Sequence, residues 1–259
     1  MAFAIDLSGR VAIVTGGGRG VGRGISERLL EAGAEVVICG RKEPERLPVA
    51  GGRRALFMAA DVRELEQIEA VAAFSEERFG RIDVLVNNAG GAPAADAATA
   101  SPRFHESILR LNLIAPLHFA QRANRAMQRQ ESGGVILFIS SVSATRASPG
   151  TAAYGAAKAG IESLVRSLAV EWAPKVRVVG VAGGMVETEQ SELHYGDAEG
   201  VAAVGRTVPA GRIAVPRDLG DACAFLASPL ASYISGTTLL VHGGGERPAF
   251  LTAAKNTKP

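Results

Sequence analysis

The sequence predicts a doubly wound α/β domain, with about seven parallel strands and helices on both faces of the sheet. Three observations carry this. Short runs of β-branched and aliphatic residues recur along the chain, most are separated by segments of helical period, and a glycine cluster follows the first run. Strands that alternate with helices need right-handed crossovers, which lay helices over both faces of a parallel sheet.

The runs are Val11 to Val14, Val36 to Ile38, Leu56 to Met58, Val84 to Val86, Val135 to Ile139, Val176 to Val181 and Thr238 to Val241. Each is short and apolar on both faces, as a strand covered from two sides should be. Val21, Ile25 and Leu29 keep a helical period that Gly33 stops, and Ile161, Leu164, Leu168 and Trp172 keep another. With 259 residues, 47% of them hydrophobic, the chain can bury one large core, and the unbroken alternation leaves no linker. One domain over residues 1–259 is expected. Two stretches stand outside the alternation: Gly183 to Pro209, polar and mixed, read as a substrate lid, and the tail over 246–259.

Composition excludes several classes. The 28 basic residues nearly balance the 26 acidic ones, and a net charge of +2 supplies no field for a nucleic-acid partner. No segment reaches the roughly 18 apolar residues of a spanning helix, and MAFAIDLSGR lacks the parts of a secretion signal, so no membrane partner and a cytoplasmic location are expected. Cys39 and Cys223 sit in apolar contexts, as buried thiols do. His105, His118, His194 and His242 show no ligand spacing, so no metal is expected; they read as surface or packing residues, with His194 a candidate for the lid.

After the first run comes Thr15-Gly16-Gly17-Gly18-Arg19-Gly20-Val21-Gly22, opening the first helix. Glycines let the backbone approach a pyrophosphate, and the free N–H groups of the helix start stabilise the anion. Strand, loop and helix in this order predict a Rossmann-type dinucleotide site. A nucleoside triphosphate loop is disfavoured because no Gly-Lys-Ser/Thr closes the motif. The second run ends Cys39-Gly40-Arg41-Lys42, with no acid to take a ribose hydroxyl. Arg41, with Arg19, instead suits a 2′-phosphate, so NADP(H) is the expected cofactor; NAD(H) is the alternative if Arg41 is only a solvated side chain.

Tyr154 and Lys158 stand four apart at a helix start, on one face. A lysine ammonium near a phenol favours the phenolate and would lower the tyrosine pKa toward neutrality.

Together these motifs resemble the short-chain dehydrogenase/reductase family along almost the whole chain, in particular its 3-oxoacyl-[acyl-carrier-protein] reductase-like members. TGGGRGVG is similar to the family's Thr-Gly-x-x-x-Gly-x-Gly, Asn87-Asn88-Ala89-Gly90 to its NNAG segment, and Asp61-Val62 to its adenine-contacting pair. The resemblance implies the catalytic set Asn112, Ser141, Tyr154 and Lys158; spacing alone leaves Ser140, Ser141 and Ser143 open, and the choice of Ser141 rests on the likeness. It implies hydride transfer between a nicotinamide and a carbonyl or alcohol. Tyr154 would move the proton, Ser141 would bind the same oxygen, Lys158 would hold the nicotinamide ribose and Asn112 would support a water chain. Cofactor contacts would be Gly16, Arg19, Gly20, Val21, Gly22, Arg41, Asp61, Val62, Asn88, Ala89, Gly90, Tyr154, Lys158, Gly184, Val186 and Thr188. A homotetramer or homodimer through the helices after Pro102 and Tyr154 is also implied, with Ala152, Ala153, Ala156 and Ala157 allowing close packing.

Two departures stand out. Gly183 replaces the family's usual proline, which leaves the stiffness of the following loop in question, and His242 stands where an acid is usual. The lid residues Met185, Leu193, His194, Tyr195, Val201 and Val204 are mostly apolar, suiting a hydrophobic ketone such as a 3-oxoacyl thioester or a steroid-like ketone, with Ser143, Met185 and Tyr195 as substrate contacts. The alternatives are an NAD-dependent alcohol dehydrogenase of this family or a non-catalytic nucleotide-binding relative.

Overall fold

The computed structural model describes residues 4–189, 191, 195–246 and 248–250. Each apolar run forms a strand of one sheet: β1 Val11–Thr15, β2 Glu35–Gly40, β5 Leu56–Ala59, β6 Val84–Asn87, β7 Gly134–Ser141, β8 Val176–Gly183 and β9 Thr238–Val241. Between β2 and β5, β3 Val49–Ala50 and β4 Arg53–Arg54 form a separate antiparallel pair. The main sheet runs β5-β2-β1-β6-β7-β8-β9 and is parallel throughout. The order reverses at β1, and there the carboxyl ends of β1 and β6 diverge into a crevice, the usual ligand site of such sheets.

Helices α1 Gly20–Glu31, α2 Leu65–Phe79, α3 Pro102–Leu109, α4 Ala115–Arg129, α5 Ala152–Glu171, α6 Ala198–Thr207 and α7 Pro216–Ala227 accompany the strands. Strand alternation divides the core in two. Ile13, Leu85, Ile136, Phe138 and Val178 pack on one side with Phe119 of α4 and Ile161 and Val165 of α5. Val14, Val36, Ile38, Val86 and Val179 pack on the other with Ile25 and Leu29 of α1 and Cys223 and Leu226 of α7. Only the inner strands are apolar on both faces in effect: at the edges β5 is at best half-buried, and Leu239 and Leu240 of β9 are exposed. An edge strand has a neighbour on one side only, so helices cover it less.

Helices α1 and α7 cross closely. A Cβ on Gly24 would lie 2.5 Å from the Pro216 backbone, and one on Gly220 would lie 2.6 Å from the Gly24 carbonyl oxygen. Both glycines are buried.

The helix after Pro102 is long, and a π-helical turn over Arg110–Ile114 joins α3 to α4 within it. Two expectations are corrected. Gly183 belongs to the sheet rather than to the lid: it pairs with Ser141 of β7 and Val241 of β9. Its backbone is held by two strands, so the loop start is stiff without proline. Of the four alanines expected to face a partner, Ala157 is in the core, while Ala152 and Ala156 are exposed. Leu193, His194 and residues 251–259 of the tail lie outside the described residues.

Candidate active site

Parallel pairing brings three loop starts together. Thr15 is in register with Cys39, and Gly40 with Ala59, so Gly16, Arg41 and Asp61 emerge side by side at the carboxyl edge. Gly16 has φ +65, and its N–H donates to the Cys39 carbonyl at 2.8 Å. A Cβ on Gly22 would lie 2.2 Å from the Gly16 carbonyl oxygen, so the turn closes only with glycine there. Thr15 ties this loop to the segment after β6. Its buried hydroxyl accepts from the Asn88 and Ala89 N–H groups, both at 2.9 Å, and the Asn88 side-chain amide donates to the Thr15 carbonyl at 2.8 Å. The Asn88 side chain therefore holds the glycine loop.

At the far end Arg41 and Arg19 are exposed. Arg63 hydrogen-bonds Asp61 and, with Arg41 nearby, holds its carboxyl down at about 2. The carboxylate is thereby charged and oriented, while Val62 is buried beside it.

The π-helical turn places Asn112 in the interior. Its amide is fully used: Oδ1 accepts the Gly91 N–H at 2.8 Å, and Nδ2 donates to the carbonyls of Gly91 at 3.0 Å and Ile108 at 2.9 Å. A Cβ on Gly90 would lie 2.7 Å from Asn112 Oδ1 and 3.5 Å from Lys158 Nζ, so these side chains converge on Gly90. Asn112 positions that corner through its side chain.

The three serines have different surroundings. Ser140 is buried, and its hydroxyl donates to Glu162 of α5 at 3.1 Å. Ser141 accepts the Ser143 N–H at 3.2 Å and its hydroxyl favours the Tyr154 phenolate, while the Ser143 hydroxyl accepts from Ser148 at 3.1 Å. Lys158 is buried, donates to the Ile139 carbonyl at 2.7 Å, and lies with Nζ 5.4 Å from the Tyr154 ring centroid. The structure thus brings Ser141, Tyr154 and Lys158 together.

Their electrostatics differ from the expectation. Burial pushes the Tyr154 phenol up, and the Ser141 hydrogen bond opposes this. Lys158 does not bring it down. Burial lowers Lys158 itself to about 8, and its ammonium is directed to a main-chain carbonyl. Desolvation here outweighs charge proximity.

Beyond β8 the backbone is pinned again. Val186 bridges to Ala214, Ala214 N–H donates to the Met185 carbonyl at 2.9 Å, and Glu187 N–H donates to the Ala214 carbonyl at 2.7 Å. Gly184 is required by His242, whose Cβ would lie 2.8 Å from an added Cβ, so His242 packs on this turn. Thr188 reaches the glycine loop, with Cγ2 3.4 Å from where a Gly20 Cβ would sit.

Three features of the site carry no sequence signal at their own positions. Glu189 accepts the Gly20 N–H. Arg146, in the loop after β7, pairs with Glu246 after β9 at 2.6 Å, and both charges act on the half-buried Tyr195. An apolar hollow lined by Ala92, Pro93, Phe104, Ile108 and Thr151 reaches Tyr154.

A parallel sheet with a glycine turn at its switch point, and a Ser-Tyr-Lys group two strands away, is a nucleotide-binding oxidoreductase architecture. Comparison agrees. Residues 16–246 match the family described as Enoyl-(Acyl carrier protein) reductase. The chain is 34% identical to 2-dehydro-3-deoxy-D-gluconate 5-dehydrogenase of Escherichia coli K12, over 93% of this chain and 97% of that one. It is 37% identical to the 3-oxoacyl-[acyl-carrier-protein] reductase FabG of Vibrio cholerae, over 93% and 98%. The solved structure of Thermoplasma acidophilum aldohexose dehydrogenase superposes with a TM-score of 0.87 at 30% identity, over 98% and 99%. The chain belongs to the short-chain dehydrogenase/reductase family, and it is an NAD(P)-dependent oxidoreductase acting on CH–OH or C=O groups.

The residues present fit a dinucleotide, since the glycine turn leaves room for backbone approach and the first N–H of α1 already binds a carboxylate. Among the described residues no helix is long and apolar enough to cross a membrane. Cys39 and Cys223 are free and buried, and burial pushes both thiols up to about 12.

Proposed function

We propose that this chain is an NADP(H)-dependent reductase that interconverts a ketone and a secondary alcohol, with Tyr154 as general acid and base. The observation that supports it is the convergence of Ser141, Tyr154 and Lys158, with Lys158 Nζ 5.4 Å from the Tyr154 ring centroid, at the carboxyl end of β7, two strands from the glycine turn. The nicotinamide, when bound, supplies or accepts the hydride. Tyr154 donates the proton to the developing alkoxide, or removes it in oxidation, and Ser141 hydrogen-bonds the same oxygen. Lys158 holds the nicotinamide ribose, whose hydroxyls give its ammonium further acceptors. Asn112 keeps Gly90 and Lys158 in register and supports the proton path to solvent. Gly16, Arg19, Gly20, Val21 and Gly22 bind the diphosphate, Arg41 the 2′-phosphate, and Asp61 and Val62 the adenine. Ala89, Gly90, Gly184, Val186 and Thr188 border the nicotinamide.

The apolar side chains of Ala92, Pro93, Phe104 and Ile108 beside Tyr154 suit a hydrophobic ketone, with Ser143, Met185 and Tyr195 on the substrate side. A sugar-derived acid is the second reading. It is favoured by the Arg146–Glu246 pair, on loops that follow the carboxyl ends of β7 and β9, and by the likeness to 2-dehydro-3-deoxy-D-gluconate 5-dehydrogenase. We extend the reading to a cytoplasmic homotetramer or homodimer, which light scattering tests.

Fluorescence titration with NADPH and NADH tests the cofactor first. NADPH is expected to bind more tightly, with about a tenfold loss in Arg41→Ala and no change for NADH, the size of one charge-assisted contact. Equal affinities would turn the search toward NAD-dependent alcohol oxidation. Tyr154→Phe is expected to lower turnover of a ketone panel by about 10²–10⁴ while dinucleotide affinity stays within twofold. Wild-type turnover in that variant removes Tyr154 from the mechanism, and dinucleotide binding without any turnover in the wild type points to a nucleotide sensor.

A further inference from the structure

The start of a helix leaves N–H groups without intrahelical partners and attracts an anion. Helix α1 gains none from its own surroundings. Its N-cap residue Arg19 makes no side-chain capping hydrogen bond, and its first turn contains no acidic residue. The anion comes instead from the lid. Across 169 positions of sequence, the Glu189 carboxylate accepts the Gly20 N–H with both oxygens, at 3.1 and 3.3 Å. Its position is fixed from behind, because the Val186–Ala214 bridge anchors the segment and Thr188 lies against Gly20. Gly20 itself has φ +48, so its N–H is presented by a conformation few side chains adopt.

We propose that Glu189 is an internal competitor for the cofactor diphosphate, so that the lid as well as the glycine loop sets dinucleotide affinity. This rests on the dinucleotide reading above. Carboxylate and diphosphate are both anions, and they need the same donor. With Glu189 on Gly20, an arriving diphosphate would lose that hydrogen bond and meet a like charge at close range. Binding therefore selects molecules in which Glu189 has swung away, and the apparent Kd is the intrinsic one divided by their fraction. Linkage makes the effect reciprocal. The dinucleotide detaches the lid from α1, and any ligand that favours the Glu189–Gly20 contact weakens dinucleotide binding.

The test titrates the wild type, Glu189→Gln and Glu189→Ala with NADPH and NADH by fluorescence, and with adenosine, which lacks the diphosphate, by calorimetry. Both variants are expected to bind both dinucleotides about three- to tenfold more tightly, the scale of one surface anion at a helix start, with adenosine unchanged. Raising the salt concentration should narrow the gap. Unchanged or weaker dinucleotide binding in both variants overturns the proposal, as does equal tightening for adenosine, because the effect would then not lie at the diphosphate. A thermal melt without nucleotide checks folding: the variants should melt within a few degrees of the wild type, and a larger loss would make Glu189 a structural cap and also overturn the proposal. If neither the wild type nor the variants bind either dinucleotide, the dinucleotide reading itself fails, and that outcome is distinct from unchanged affinity.

Discussion

The floor of the site and its rim are held by different physics. On the floor, Thr15, Asn112 and Lys158 are buried, and each makes hydrogen bonds that nothing else could supply. At the rim, the Arg146–Glu246 pair and the Glu189–Gly20 contact are exposed to solvent. A buried polar group that loses its partner costs its full desolvation, whereas an exposed ion pair competes with water and is worth little. The floor is thus fixed at the level of single atoms, while the rim can exchange its own charges for those of a ligand.

The contrast is sharpened most by Lys158. Its folded pKa falls from 10.5 to about 8, so the folded chain binds this proton less tightly than the unfolded chain. The penalty is fully present below pH 8 and gone above 10.5, and stability should rise across that window by about 3 kcal/mol. Urea unfolding at pH 7.5 and 10.5, wild type against Lys158→Met, checks this; a rise that survives in the variant assigns it elsewhere. Next in size is Thr15→Val, which keeps the shape but strands the Asn88 and Ala89 N–H groups. A loss of about 2 kcal/mol with weakened dinucleotide binding is expected. Smallest is Arg146→Met, which should cost less than about 1 kcal/mol and move Tm by no more than about 3 °C. A rim substitution as damaging as Thr15→Val would break the comparison.

The same division decided what could be read from sequence. Seven apolar runs gave seven strands, because burial on two faces leaves a composition signal that needs no partner to be visible. Tyr154 and Lys158 were legible because helical spacing places them on one face. The π-helical turn was not: Leu111, Leu113 and Ile114 continue an ordinary helical pattern, and the extra residue shows only where Asn112 takes the Ile108 carbonyl. The β3–β4 pair is too short to have a period, although Gly51 and Gly52, with φ +56 and +72, mark its turn. Helical spacing shows that Lys158 is near Tyr154 but not that the phenol is buried, and burial raises its pKa. Contacts such as Arg146 with Glu246, 100 positions apart, depend on which loops meet above the sheet and leave no local trace.

The close crossing of α1 and α7 bears on how such an enzyme can diverge. Gly24 and Gly220 allow no side chain, so this pair of helices cannot drift apart without losing the contact that fixes them. Helix α7 begins at Pro216, after the lid, and α1 begins at the glycine turn. The lid is consequently a replaceable insert between two anchors, β8 before it and α7, packed on α1, after it. Past Glu189, whose carboxylate meets the glycine turn, its length and chemistry can be rewritten by mutation without touching the residues that face the cofactor, so new substrates become accessible without rebuilding that side.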